Sequence, residues 1–317
     1  MPDLIFTILL LAGLIALLVK SAAFAIENVV KFSKITGIGE LAAGFVIVAV
    51  ATSAPELSVG VFSSVTNNVG ITLGDVFGSN VTNIALISAL FLLLSPIRHI
   101  EKKTLRMLLP LLIASSVIPL VLLLVQEGGN AVGVVLLALF GFFLYYIFRF
   151  KQPEEKEAAK GSAVKSLAYF FMGILVVIVS SKFIVDSAAS IAASTGIRES
   201  VIGATIIAVG TSLPELTISV VSVKRRHLDL ALGDIVGSCI TNLTLVLGVV
   251  LVISGAGINF GILSSLIGFS IIAPLAMLLF IRRERVRKWY SFLFFGIYGL
   301  FLLTIYEVQL YIGGIRF

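Results

Sequence analysis

Nearly all of this 317-residue chain is divided into continuous apolar runs joined by short polar connections. The runs are about 20 residues or longer, the length of helix that crosses a hydrocarbon core about 30 Å thick. They lack the strict alternation of barrel strands, so a membrane β-barrel is not expected. Ten spans are expected, at 4–30, 38–64, 70–95, 104–125, 130–150, 165–192, 198–223, 229–254, 260–281 and 287–313. Hydrophobic residues make up 59% and charged ones 13%, with a mean hydropathy of +1.13, which excludes an ordinary soluble domain. The fold class is therefore all-α: a polytopic membrane protein with ten transmembrane helices. The first run follows Asp3 and no basic residue, so it reads as a retained helix rather than a signal peptide.

Basic residues set the orientation. They collect in alternate connections: Lys31 and Lys34; Arg98, Lys102, Lys103 and Arg106; Arg149 to Lys165; Lys224 to Arg226; and Arg282 to Lys288. The other side carries only Arg198 and Arg316. Positive charge stays in the cytoplasm, so both termini are expected outside, in a multi-pass protein of the cell membrane. The net charge of +6 is then a topology signal, and nucleic acid is not an expected partner.

One apolar run, Ser200 to Val223, contains Gly210-Thr211-Ser212-Leu213-Pro214-Glu215. Proline removes a backbone donor and crowds the carbonyl four residues back, so the helix should break there. A carboxylate at membrane depth is costly and marks a functional site. Ala51-Thr52-Ser53-Ala54-Pro55-Glu56 repeats the pattern 159 residues earlier (215 minus 56). The same offset relates Gly74-Asp75 to Gly233-Asp234, Gly78-Ser79 to Gly237-Ser238, and Thr82-Asn83 to Thr241-Asn242. Five spans per half reverse the second half relative to the first, giving two inverted five-helix repeats, 1–150 and 165–317, around a cytoplasmic linker, 151–164. Inverted repeats with broken helices place substrate near the midplane of secondary transporters.

The repeated polar residues are oxygen donors, with no histidine or thiolate cluster among them. Such donors suit hard cations such as Na+ and Ca2+; Mg2+ fits less well because it keeps its waters. Two facing glutamates repel when empty and are neutralised together by one divalent ion or several monovalent ones. Asp75, Ser79 and Asn83 are spaced four apart along one helix face, as are Asp234, Ser238 and Asn242. Gly74 and Gly78, and Gly233 and Gly237, allow close helix approach. The single cysteine, Cys239, excludes an internal disulfide and reads as a packing residue.

The two Pro-Glu runs, each followed by Gly-Asp-x-x-Gly-Ser-x-x-Thr-Asn, resemble the α-repeats of Na+/Ca2+ exchangers in the Ca2+/cation antiporter superfamily. The resemblance covers the whole chain. It implies a transporter rather than an enzyme, with no cofactor and no obligate protein partner beyond the lipid bilayer. It implies that Glu56, Glu215, Thr52 and Thr211 hold Ca2+. Flanking Na+ positions would use Ser53, Ser79, Ser212, Ser238 and the carbonyls of Ala49 and Ala208. Asn83 and Asn242 would line a fourth position, and their neutrality implies no K+ requirement. Spans 1 and 6 would slide across the rest. Ala51 replaces a glycine usual in the family, so the first broken helix is expected to bend less. Asp75 and Asp234 stand where asparagine is commoner. They are read as auxiliary acids near the flanking sites or, equally, as packing residues.

The expected function is Na+ for Ca2+ antiport by alternating access. One rival is H+/Ca2+ antiport, although the proton-coupled branch resembles Gly-Asn-Ala-x-Glu and lacks the Thr-Ser pair. A rival of another class is an intramembrane aspartyl protease using Asp75 and Asp234. His99 and His227 fall in polar connections and are expected to be solvated.

Overall fold

A computed structural model describes residues 2–65, 69–94, 100–125, 127–150, 161–194, 208–254, 258–259, 263–281 and 288–313. The described residues are almost entirely helical. Their one β pairing joins Glu127 to Asn259 and Gly128 to Ile258, between the loop after one span and the loop after another.

Among the described residues, seven helices are long and apolar enough to cross a membrane. An eighth crossing is a broken pair, Glu40–Thr52 and Ala54–Val61, bent by 41°. Tyr290–Ile305 is a shorter apolar stretch within the helix Tyr290–Gly313. The expected span 198–223 starts outside the described residues; its described part is Ala208–Thr211 and Leu213–Lys224. Most of the expected linker also lies outside them.

Burial sorts the helices into centre and periphery. Thr72–Leu94 and Leu228–Ser254 are 83% buried over their spanning windows, against 22–44% for the other five. The peripheral helices turn large apolar side chains outward, among them Leu124, Val134, Phe142, Leu175, Leu279 and Leu303. In water such a surface would be a severe aggregation liability; against lipid it is the expected exterior. The two longest helices, Pro2–Thr36 and Ala163–Ser194, pair along their length, with Gly173 set closely against the backbone of Ala25.

Both broken helices part at equivalent serines. Ser53 has φ −78° and ψ 8°, and Ser212 has φ −86° and ψ 6°. These angles lie off the helical basin, where a turn residue sits. The first half breaks, with a bend of 41°, although Ala51 and not glycine lies four residues before Pro55. Pro55 and Pro214 each lack an N–H, and that loss operates whether alanine or glycine lies four residues back.

A second irregularity was not apparent in the sequence. Thr82–Ile87 and Asn242–Val246 are π-helical turns in the two central helices. Such turns widen the helix by one residue and recur at functional sites. A third, Gly44–Val48, precedes the first break.

The helix Leu228–Thr241 crosses Glu40–Thr52 at its glycines. A Cβ on Gly233 would meet the Leu41 carbonyl oxygen and the Phe45 nitrogen, and one on Gly44 would meet the Leu230 carbonyl oxygen. One on Gly237 would lie 2.9 Å from the Phe45 Cα and 2.7 Å from the Ala49 Cβ. The expected close approach therefore holds for Gly233 and Gly237. For Gly74 no described atom lies within 4 Å of a built Cβ, and for Gly78 only Phe301 does.

Candidate cation site

Four segments converge in the interior: the two broken helices and the two central helices with π turns. Thr52, Ser53, Glu56, Ser79, Asn83, Ser212, Glu215, Asp234, Ser238 and Asn242 are all buried. Thr211 and Asp75 are partly buried, and Ala208 is the first described residue of the helix Ala208–Thr211.

The glutamates stand out. Glu56 and Glu215 are 0% exposed, and none of their four carboxylate oxygens has a donor in hydrogen-bonding geometry, although Thr52 lies beside Glu215. Glu56 lies within electrostatic reach of Glu215 and Asp75; Glu215 lies within reach of Asp75 and Asp234. The carboxylates from the two halves thus face a common region. An uncompensated buried charge costs several kcal/mol or more, so this arrangement calls for a positive partner.

Further unpartnered oxygens surround them. Ser53, Ser212 and Ser238 have hydroxyls without a hydrogen-bond partner, and Asn83 and Asn242 have amides without one. Both asparagines lie in the π turns. Among the described residues, no three Asp, Glu, His or Cys side chains converge as a metal cluster. A cation between the glutamates would complete its shell with hydroxyl, amide and carbonyl oxygens. That is the donor chemistry of Na+ and Ca2+. The Ala49 carbonyl already accepts the Ser53 N–H at 3.0 Å and the Thr52 hydroxyl at 3.3 Å.

Hydrogen bonds tie each half to the other at equivalent positions. Thr52 Oγ1 donates to Asp234 Oδ1 at 3.4 Å, and Thr211 Oγ1 donates to Asp75 Oδ1 at 3.0 Å. Asn80 Nδ2 donates to the Cys239 carbonyl at 3.4 Å, and the Cys239 thiol faces the Asn80 carbonyl at 3.8 Å. Residues 80 and 239 are themselves 159 apart, so this pair relates corresponding positions of the two halves. Cys239 is thus a contact between halves, in keeping with its expected packing role.

Two residues depart from the sequence reading. Ser219 donates to Asp234 Oδ2 at 2.7 Å and was not among the expected residues. Its equivalent in the first half is Gly60, so a reading guided by repetition passes over it. The spacing of four from Glu215 puts both on one helix face and was the available signal. His227 is not solvated as expected: its Nδ1 lies 2.9 Å from Glu40 Oε1, and both side chains are partly buried. It joins the starts of the helices Glu40–Ala43 and Leu228–Thr241. His99 lies outside the described residues.

An all-helical membrane protein that buries this many unpaired oxygens around two carboxylates belongs to the class of ion transporters. A profile of the sodium/calcium exchanger protein family matches residues 6–149 and again 165–307. The chain belongs to that family. The sodium/calcium exchanger MaX1 of Methanosarcina acetivorans is 27% identical over 353 aligned positions, covering 95% of this chain and 98% of that protein. The inner membrane protein YrbG of Escherichia coli is 31% identical over 255 positions, covering 76% of this chain and 78% of that protein. Solved structures of the sodium-calcium exchanger NCX_Mj share the fold: one soaked with 10 mM Na+ and zero Ca2+ superposes with a TM-score of 0.82 at 26% identity, covering 93% of this chain and 97% of that one.

The chain is accordingly a multi-span cation/Ca2+ antiporter and not an enzyme. The aspartyl-protease rival also lacks its geometry. Asp75 and Asp234 each bond a threonine of the opposite half, whereas a catalytic dyad must share a proton between its carboxyls.

Proposed function

We propose that the protein exchanges Na+ for Ca2+, with both ions competing for one site between Glu56 and Glu215. The observation that carries this is the pair of fully buried carboxylates, one from each half, with all four oxygens unpartnered. Thr52 and Thr211 complete the Ca2+ position. Ser53, Ser79, Ser212 and Ser238, with the carbonyls of Ala49 and Ala208, hold Na+ on either side, and Asn83 and Asn242 line the remaining position. Ca2+ neutralises both glutamates at once, and so do two or more Na+. Either load offsets the repulsion, and both loads together exceed the charge available.

The halves 1–150 and 165–317 act as inverted repeats with both termini outside. Access then alternates between the two ends of the site. The transition is favourable only for a neutralised site, because carrying bare carboxylates past hydrocarbon costs several kcal/mol or more.

The test is Ca2+ uptake into proteoliposomes driven by an opposing Na+ gradient, with the pH gradient collapsed by an ionophore. Uptake that persists is expected; uptake that needs the pH gradient would favour H+/Ca2+ exchange instead. Glu56→Gln and Glu215→Gln should each lower the Na+-driven rate about 100-fold, equivalent to about 3 kcal/mol of lost cation binding. Wild-type rates in both variants would refute the assignment.

A further inference from the structure

The two aspartates occupy equivalent positions, yet their surroundings differ. Asp234 is saturated: Thr52 donates to Oδ1 at 3.4 Å and Ser219 to Oδ2 at 2.7 Å. Asp75 receives both of its donors on one oxygen, Thr211 at 3.0 Å and Ser79 at 3.4 Å, each to Oδ1. Its Oδ2 is buried and has no partner.

The difference is built into the sequence. The position equivalent to Ser219 is Gly60, which has no hydroxyl to offer. A serine there would also require its neighbours to shift. A Cβ on Gly60 would lie 2.9 Å from Val250 Cγ2 and 3.3 Å from Thr72 Cγ2. Asp75 also lies within electrostatic reach of both glutamates. An ionised carboxylate accepts at both oxygens, and a buried oxygen without a donor forfeits its solvation. The two donors on its other oxygen, Thr211 and Ser79, are both members of the cation set proposed above.

We infer that Asp75 supplies a carboxylate oxygen to a flanking Na+ position, apart from the Glu56–Glu215 pair, and that Asp234 is a positioning residue that holds Thr52. This rests on the reading of Glu56 and Glu215 as cation ligands. Ca2+ between the glutamates does not need this carboxylate, whereas an Na+ on the flank does, so Asp75 distinguishes the two ions. The inference also makes the two ends of the site chemically unequal, despite their shared motif.

The experiment is a Na+ titration and a Ca2+ titration of exchange in proteoliposomes for wild type, Asp75→Asn, Asp75→Glu and Asp234→Asn. Asp75→Asn should raise half-saturating Na+ by about fivefold or more, the equivalent of about 1 kcal/mol, and lower its Hill coefficient. Half-saturating Ca2+ should move less than half-saturating Na+. Asp75→Glu keeps the charge, so it should keep the Hill coefficient while shifting half-saturating Na+. Asp234→Asn should weaken both ions by a similar factor and leave the Hill coefficient intact, since it acts through Thr52.

Unchanged Na+ dependence in Asp75→Asn would overturn the inference, as would a matching loss of Hill coefficient in Asp234→Asn. If Asp75→Asn is not monodisperse after purification, Asp75→Glu carries the test, and unchanged half-saturating Na+ there overturns it. A Glu56→Gln variant exchanging at the wild-type rate would remove the parent reading. A silent Asp75→Asn in an otherwise Glu56-dependent exchanger would remove this inference alone.

Discussion

Gly233→Ala is the substitution whose consequence follows most directly from the packing. The added Cβ would meet the Leu41 carbonyl oxygen, and would lie 3.0 Å from the Phe45 nitrogen and 3.2 Å from the Gly44 Cα. All three are backbone atoms of the facing helix, so no rotamer change relieves the contact. The helices must separate, by roughly 0.5–1 Å, and overpacking of this kind typically costs about 1–3 kcal/mol. The functional effect should exceed the stability effect. Asp234 adjoins Gly233, and its bond from Thr52 is already 3.4 Å long, so separation breaks it. Ser238 and Asn242 ride on the same helical rod and move with it. A misplacement of about 1 Å can cost about 100-fold in rate, which is the expected fall in Na+-driven Ca2+ uptake. Gly141→Ala is the control: no described atom lies within 4 Å of a Cβ there, and the residue is on an exposed helix face. It should keep wild-type flux. Both variants would be compared by flux in proteoliposomes and by thermal stability in detergent. Wild-type flux and stability in Gly233→Ala would show that the helices do not meet as described.

Two further outcomes are expected. Ser219→Ala removes a 2.7 Å bond and leaves Asp234 Oδ2 buried without a donor, which should cost about 1–3 kcal/mol of stability, read as a lower melting temperature; an unchanged melting temperature would mean that Asp234 is held by other contacts. His227→Ala should cost under about 1 kcal/mol, because His227 and Glu40 both keep solvent contact, and the loss should shrink further at high salt; a larger, salt-independent loss would contradict this.

Much of the candidate site could be read in the sequence because the chain states its motif twice. Pro55-Glu56 and Pro214-Glu215 lie inside apolar runs, where a proline and a carboxylate are both conspicuous. Their shared offset pointed to one interior region, and the structure brings the two glutamates there. The breaks at Ser53 and Ser212 followed from proline chemistry. Other features had no one-dimensional signature. A π turn such as Thr82–Ile87 adds one residue to a helix without changing its composition. The bonds Thr52–Asp234 and Thr211–Asp75 span 182 and 136 residues, so only the packed fold reveals that they correspond. Ser219 was missed because it is where the repeat fails. The pairing of His227 with Glu40 was missed because connecting residues are normally solvated, and here two helix starts lie close enough to bond.

The central claim is that the carboxylates of Glu56 and Glu215 hold the transported cation between them. Crystals soaked with Sr2+, a heavier stand-in for Ca2+, would test it by anomalous diffraction. The account predicts one dominant Sr2+ peak within coordinating distance of both carboxylates, displaced as Na+ is raised in the soak. A dominant peak away from either glutamate, or one indifferent to Na+, would contradict it.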